Sequence, residues 1–143
     1  MLFSVGTKTG QLEGCARGPG GLLAVSVSNV TGNLWKGGLM VIGDGEGAGF
    51  KTGSALDSTN MTQTPASNCC VAWCGSAADP LVASGSDDGS VYLYRPSACS
   101  SESGGMSKLE SVGSLVEHED MVLALAPHPS EPACLLSAGA DAM

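Results

Sequence analysis

The chain has 143 residues, a net charge of −8, and 43% hydrophobic residues, enough for one domain core. With 6 basic against 14 acidic side chains, it has no basic patch to neutralise phosphates, which disfavours nucleic acid and anionic membrane surfaces as partners. No apolar run approaches the roughly 18 residues of a membrane span. The opening MLFSVGTKTGQ has neither the basic nor the apolar region of a signal peptide. Cys15, Cys69, Cys70, Cys74, Cys99 and Cys134 are therefore expected as reduced thiols, not a disulfide frame, and the glycosylation patterns at Asn29 and Asn60 as incidental.

In chain order, Leu22 to Ser28 (LLAVSVS) and Leu39 to Ile42 (LMVI) have strand character, and the polar, glycine-containing stretch between them is expected to be a long loop. Residues 43–68 are rich in Gly, Ser, Thr and Asn, with part expected as a weak outer strand. Cys69 to Cys74 (CCVAWC) returns to strand. Leu81 to Arg95 (LVASGSDDGSVYLYR) is two apolar runs joined by Asp87-Asp88-Gly89, whose side-chain caps and tolerance of positive φ suit a tight reversal. Residues 98–105 are Ser/Gly-rich and expected to be loop. Leu109 to Val116 is ambiguous: Leu109, Val112, Leu115 and Val116 fit a helix face, while Gly113 and the neighbouring strands favour a strand. Met121 to Ala126 and Cys134 to Ser137 are two more strands. Many short strands spaced by turns point to an all-β sandwich, barrel or propeller of antiparallel strands.

Internal repetition narrows this choice. LVASGSDDGSVYLYR has the layout of the inner hairpin of a WD-repeat blade, with Ser84 and Asp88 at its strand and turn positions. A second copy starts at His118-Glu119-Asp120-Met121-Val122, passes through Pro127-His128-Pro129, and reaches Leu135-Leu136-Ser137-Ala138-Gly139-Ala140-Asp141. Adjacent strands would bring His118 and Asp141 together in a charge-assisted hydrogen bond, a structural staple and not a metal ligand or base. The pattern has gaps: no His lies upstream of Asp88, and Tyr94-Arg95 stands where these repeats carry Trp-Asp.

Most of the chain also resembles the methylosome WD-repeat protein family. The resemblance rests on Leu12-Glu13, Gly20-Gly21-Leu22-Leu23-Ala24-Val25-Ser26, Gly32-Asn33-Leu34-Trp35-Lys36-Gly37-Gly38-Leu39, Val71-Ala72-Trp73, Leu81-Val82-Ala83-Ser84, Gly89-Ser90-Val91 and Glu117-His118-Glu119-Asp120, in that order. It implies an incomplete WD-repeat β-propeller over 1–143: an irregular first blade at 11–50, a second at 66–117 and the start of a third at 118–143, with the whole an N-terminal fragment and marginal in isolation. It also implies a non-catalytic, cofactor-free adaptor of cytoplasm and nucleus that binds a type II protein arginine methyltransferase. That adaptor helps present arginine-rich substrates such as histones and Sm proteins. Trp35 matches the Trp that the family carries on a long loop and packs into the methyltransferase. A generic WD-repeat scaffold of another complex is the alternative.

Three chemistries compete. Gly45 to Thr52 (GEGAGFKT) hints at a phosphate loop, but Phe50 separates Gly49 from Lys51, and no helix pattern follows. Cys69, Cys70 and Cys74 with His118 or His128 could suggest zinc, yet only Cys70 and Cys74 have ligand-pair spacing, and strand alternation makes them core thiols. A thiol hydrolase would need Cys74 or Cys134 beside His118, and nothing in the spacing provides it. The carboxylates Asp87, Asp88, Glu117, Glu119 and Asp120 are expected as turn caps and solvated loop charges.

Overall fold

A computed structural model describes residues 11–31, 34–43, 61–97 and 106–142. Among these the chain forms β1 (Gln11–Arg17), β2 (Leu23–Thr31), β3 (Leu34–Ile42), β4 (Thr62–Thr64), β5 (Asn68–Gly75), β6 (Pro80–Ser86), β7 (Ser90–Pro96), β8 (Met106–Ser107), β9 (Leu109–Val116), β10 (Val122–Pro127) and β11 (Leu135–Gly139). A 3-10 turn at Pro19–Gly21 is the one helical element among the described residues, and none of them forms a helix long and apolar enough to cross a membrane. The fold is all-β, and every strand pairing is antiparallel. The ambiguous segment 109–116 is strand, and β4 is a short outer strand inside 43–68.

The strands make three sheets, ordered β1-β2-β3-β4, β5-β6-β7-β9 and β10-β11. β8 also joins the first sheet: Met106 and Ser107 pair with Ile42 and Val41 of β3, beyond the reach of β4 at Gly37 to Leu39. A second blade drawn at 66–117 therefore contains two residues that belong to the first sheet, because they satisfy the part of the β3 edge left open by the short β4. The stretch expected as a long loop before Leu39 is instead a hairpin, with β2 running to Thr31 and β3 starting at Leu34. Its Gly37 and Gly38 are close-approach residues, not turn residues: a Cβ on Gly37 would strike the Ala66 carbonyl, and one on Gly38 would strike Met61.

The hairpins β1-β2, β5-β6 and β10-β11 share one irregularity. Each carries a bulge at the same place in its register, with Glu13, Cys69 and Leu123 as the extra residues. Aligned on this bulge, Cys15, Val71 and Leu125 are equivalent and pair with Val25, Ser84 and Ser137. These are three copies of one supersecondary unit.

The copies stack face to face through the second sheet. Successive residues of a strand point to opposite faces, and β6 uses both. Val82 packs with Trp73, Tyr94 and Leu109 against Ala24, Leu39 and Val41 of the first sheet. Ala83 packs with Val91 against Val122 of the third. Full burial of a valine such as Val82, at 0% exposure, contributes about 1.5–3 kcal/mol. Trp73 lies over Gly18, where any Cβ would overlap the indole, and its Nε1 donates to the Ala16 carbonyl at 2.9 Å. Gly85 does the same for the third sheet, since a Cβ there would come within 2.6 Å of Cys70 Sγ and 2.7 Å of Val122 Cγ1. Gly85→Ala is thus expected to push the β10-β11 hairpin off the second sheet and cost about 1–3 kcal/mol, read as a lower midpoint in urea denaturation.

Candidate functional site

The third unit holds a buried polar cluster. His118 precedes β10 and is 7% exposed. Its Nδ1 lies 3.0 Å from Asp141 Oδ1, and its Nε2 lies 2.9 Å from Ser137 Oγ. Asp141 Oδ2 also accepts the Glu119 amide at 2.8 Å. The imidazole rests on Gly139, where a Cβ would stand 2.5 Å from Nδ1, so the glycine before the turn makes room for the ring. The same segment reaches the second sheet: the His118 carbonyl closes over Gly89, whose φ is +83°. The expected pairing of His118 with Asp141 is therefore present, and Ser137 adds a third member.

Ser137, His118 and Asp141 have the connectivity of a hydrolase triad. Their surroundings do not suit that chemistry. The His118 and Asp141 side chains are 4% and 9% exposed, and Ser137 lies within the β10-β11 ladder opposite Leu125. A strand-to-helix turn with free backbone amides, which would stabilise an oxyanion, is not found beside it among the described residues. Both ring nitrogens of His118 are engaged by these partners, and neither faces a thiol.

The shared bulge aligns Thr64 with His118, Asn68 with Val122, Ser84 with Ser137 and Asp88 with Asp141. With no histidine available, the second unit uses an amide. Ser84 Oγ donates to Asn68 Oδ1 at 2.6 Å, and Asn68 Nδ2 donates to Thr64 Oγ1 at 2.9 Å and to the Gly38 carbonyl at 3.0 Å. Asn68 is 1% exposed and Ser84 0%. Asp88 instead caps its own turn, accepting the Ser90 amide at 2.9 Å and the Tyr92 hydroxyl at 2.7 Å. Burial pulls the Asp88 carboxyl upward, but these hydrogen bonds outweigh it and leave the group below its usual range. Burial, reinforced by the charge of Asp88, raises Asp87. The role of Asn68 was missed in the sequence. Its signal is a polar residue at the strand position where the other copy has Val122.

Trp35 lies in β3 opposite Val30, so it is carried by a strand and not by a long loop. Its side chain lies outside the described residues, as do Gly45 to Thr52 and Cys99. Cys70 and Cys74 both pack against the Ala83, Val91 and Val122 cluster. Burial pushes the Cys70 thiol up to about 11 and raises Cys69 and Cys74 as well. Among the described residues no group of three His, Cys, Asp or Glu side chains is placed to hold a metal ion. Asp120 caps the Met121 amide at 2.7 Å. No known family model matches the chain, and no curated protein matches it in sequence.

Two measurements follow from this geometry. Asp141→Ala removes the partners of His118 and of the Glu119 amide and is expected to cost about 1–3 kcal/mol. Asn68→Ala leaves the buried Ser84 hydroxyl without its acceptor and the Gly38 carbonyl without the Asn68 donor, beside a cavity, while Thr64 keeps its bond to the Ala66 carbonyl. It is expected to cost about 2–4 kcal/mol, with both variants read by chemical denaturation. In thiol labelling of the native chain, exposed Cys15 and Cys134 are expected to react before Cys70. Because the thiolate is the reactive form, labelling of Cys70 is expected to keep accelerating as the pH rises toward about 11.

Proposed function

We propose that the chain is part of a WD-repeat β-propeller of the methylosome WD-repeat type. In this reading it is a non-catalytic, cofactor-free scaffold that binds a type II protein arginine methyltransferase and helps present arginine-rich substrates such as histones and Sm proteins, in cytoplasm and nucleus. One observation carries the reading. Three hairpins with a common bulge stack face to face, and the third is closed by His118, Ser137 and Asp141. That arrangement uses its titratable groups to fix strands together and leaves the loops and hairpin tips for contacts. The net charge of −8 complements basic clients and favours fast encounter with them.

Trp35 is the proposed anchor in the methyltransferase. It sits in β3 one residue from the end of the β2-β3 pairing, beside exposed Lys36, and a large aromatic residue is the type that suits an interface hot spot. One observation favours the second reading, a WD-repeat scaffold of a different complex. Trp35 lies on a strand of a tight hairpin, whereas the methylosome family carries its Trp on a long loop.

A titration of purified type II arginine methyltransferase against the chain separates the two. The methylosome reading expects binding that Trp35→Ala weakens by about tenfold or more while leaving the denaturation midpoint unchanged. Absence of binding by the folded wild-type chain would leave only the generic scaffold. Binding that Trp35→Ala does not alter would remove Trp35 from the interface.

A further inference from the structure

At one end of the stacked units the three equivalent hairpin turns converge on a cleft of about 300 Å³. Pro19 enters from the β1-β2 turn. Trp73, Cys74 and Ala77 come from the end of β5 and the turn after it. Pro127, His128, Pro129 and Pro132 come from the β10-β11 connection. The Gly75 amide donates to the Pro132 carbonyl at 2.8 Å, which locks the second and third turns together. We propose that this cleft is a recognition site for one neutral aromatic side chain, tyrosine above all, presented by an extended segment of a partner protein.

The composition of the walls selects this ligand class. Among the described residues no Lys, Arg, Asp or Glu lines the cleft, so a phosphate, carboxylate or cation would lose its hydration without gaining a counter-charge from them. Four prolines and the accessible part of Trp73, which is 8% exposed, contribute rigid rings to the walls. Aromatic faces carry the negative part of the ring quadrupole and favour offset or edge contacts with such rings. Size points the same way. An apolar cavity of about 150 Å³ accepts benzene, so twice that volume holds a phenol with its Cβ and the flanking amides. It is at the lower limit for ligand clefts and small for a nucleotide.

His128 supplies the polar contact. Its Nδ1 accepts the Glu131 amide at 3.0 Å and the Ser130 amide at 3.3 Å. Two donors on one nitrogen fix the neutral tautomer, with the ring proton on Nε2. Nε2 has no partner among the described residues, and His128 lines the cleft, so the ring offers a donor there for a phenolic oxygen. This inference goes beyond the scaffold reading and does not depend on which enzyme the chain binds.

The test uses the full chain with Trp35→Phe, so that Trp73 is the one indole, and titrates N-acetyl-tyrosinamide while following tryptophan fluorescence. Saturable binding on the order of 1 mM is expected for so small a ligand, with N-acetyl-leucinamide clearly weaker. N-acetyl-phenylalaninamide, lacking the phenolic oxygen, is expected to bind about three- to tenfold more weakly than the tyrosine probe. His128→Asn keeps an acceptor for the two amides but lacks the Nε2 proton, and is expected to erase that difference. Ala77→Trp, at an exposed turn position, fills the cleft without touching the core and should abolish binding. No saturable binding by the folded chain, equal binding of the leucine probe, or undiminished binding to Ala77→Trp would overturn the site. A tyrosine-over-phenylalanine preference that survives in His128→Asn would overturn the role of His128. Each of these outcomes leaves the methyltransferase titration unaffected, so the two readings fail separately.

Discussion

Burial of the second sheet on both faces is the constraint on which the rest of the structure depends. β6 presents Val82 to the first sheet and Ala83 to the third, and neither residue is exposed to solvent. A sheet covered on both faces cannot alternate apolar and polar residues as a half-solvated one does. That is why its inner strand reads LVASGS, with small residues where neighbouring backbones come close. Gly18 under Trp73 and Gly85 under Val122 are among the positions where this stacking leaves no room for a side chain. The outer strand β9 reaches the first sheet only through Leu109 at its start, and the rest of its side chains are exposed.

Stacking alone does not set the register of one unit on the next, because apolar contacts are non-directional. The buried polar groups supply direction. Asn68 spans the first and second sheets by joining Gly38 in β3 to Ser84 in β6. His118 fixes the third hairpin from within, while its carbonyl lies against Gly89 of the second sheet. Every fully buried side-chain nitrogen and oxygen among the described residues has a partner, as a well-specified interior requires. One repeat solves the problem with an imidazole and a carboxylate and another with an amide and two hydroxyls. The position in the repeat is therefore tied more closely to a hydrogen-bonding function than to a residue type.

The parts legible in the sequence were those with local signals. Asp87-Asp88-Gly89 announced its turn because the chemistry of a reversal is confined to a few adjacent residues. His118 and Asp141 were legible because the repeat fixed their spacing. The hairpin between β2 and β3 was not. Gly37 and Gly38 look like loop residues, yet their lack of a side chain answers the approach of Ala66 and Met61, a tertiary fact with no local trace. β8 was hidden because two residues carry no period, and Asn68 because its partners lie in three different strands.

Amide hydrogen exchange of the native chain tests the stacking most directly, because protection reports how deeply each strand is held in the cooperative unit. If the second sheet is the shared support, the amides of β5 and β6 exchange last, and those of β10 and β11 lose protection before them. Exchange of β5 and β6 ahead of both flanking sheets would contradict the account, for the sheets would then be stable without the strands that are said to join them.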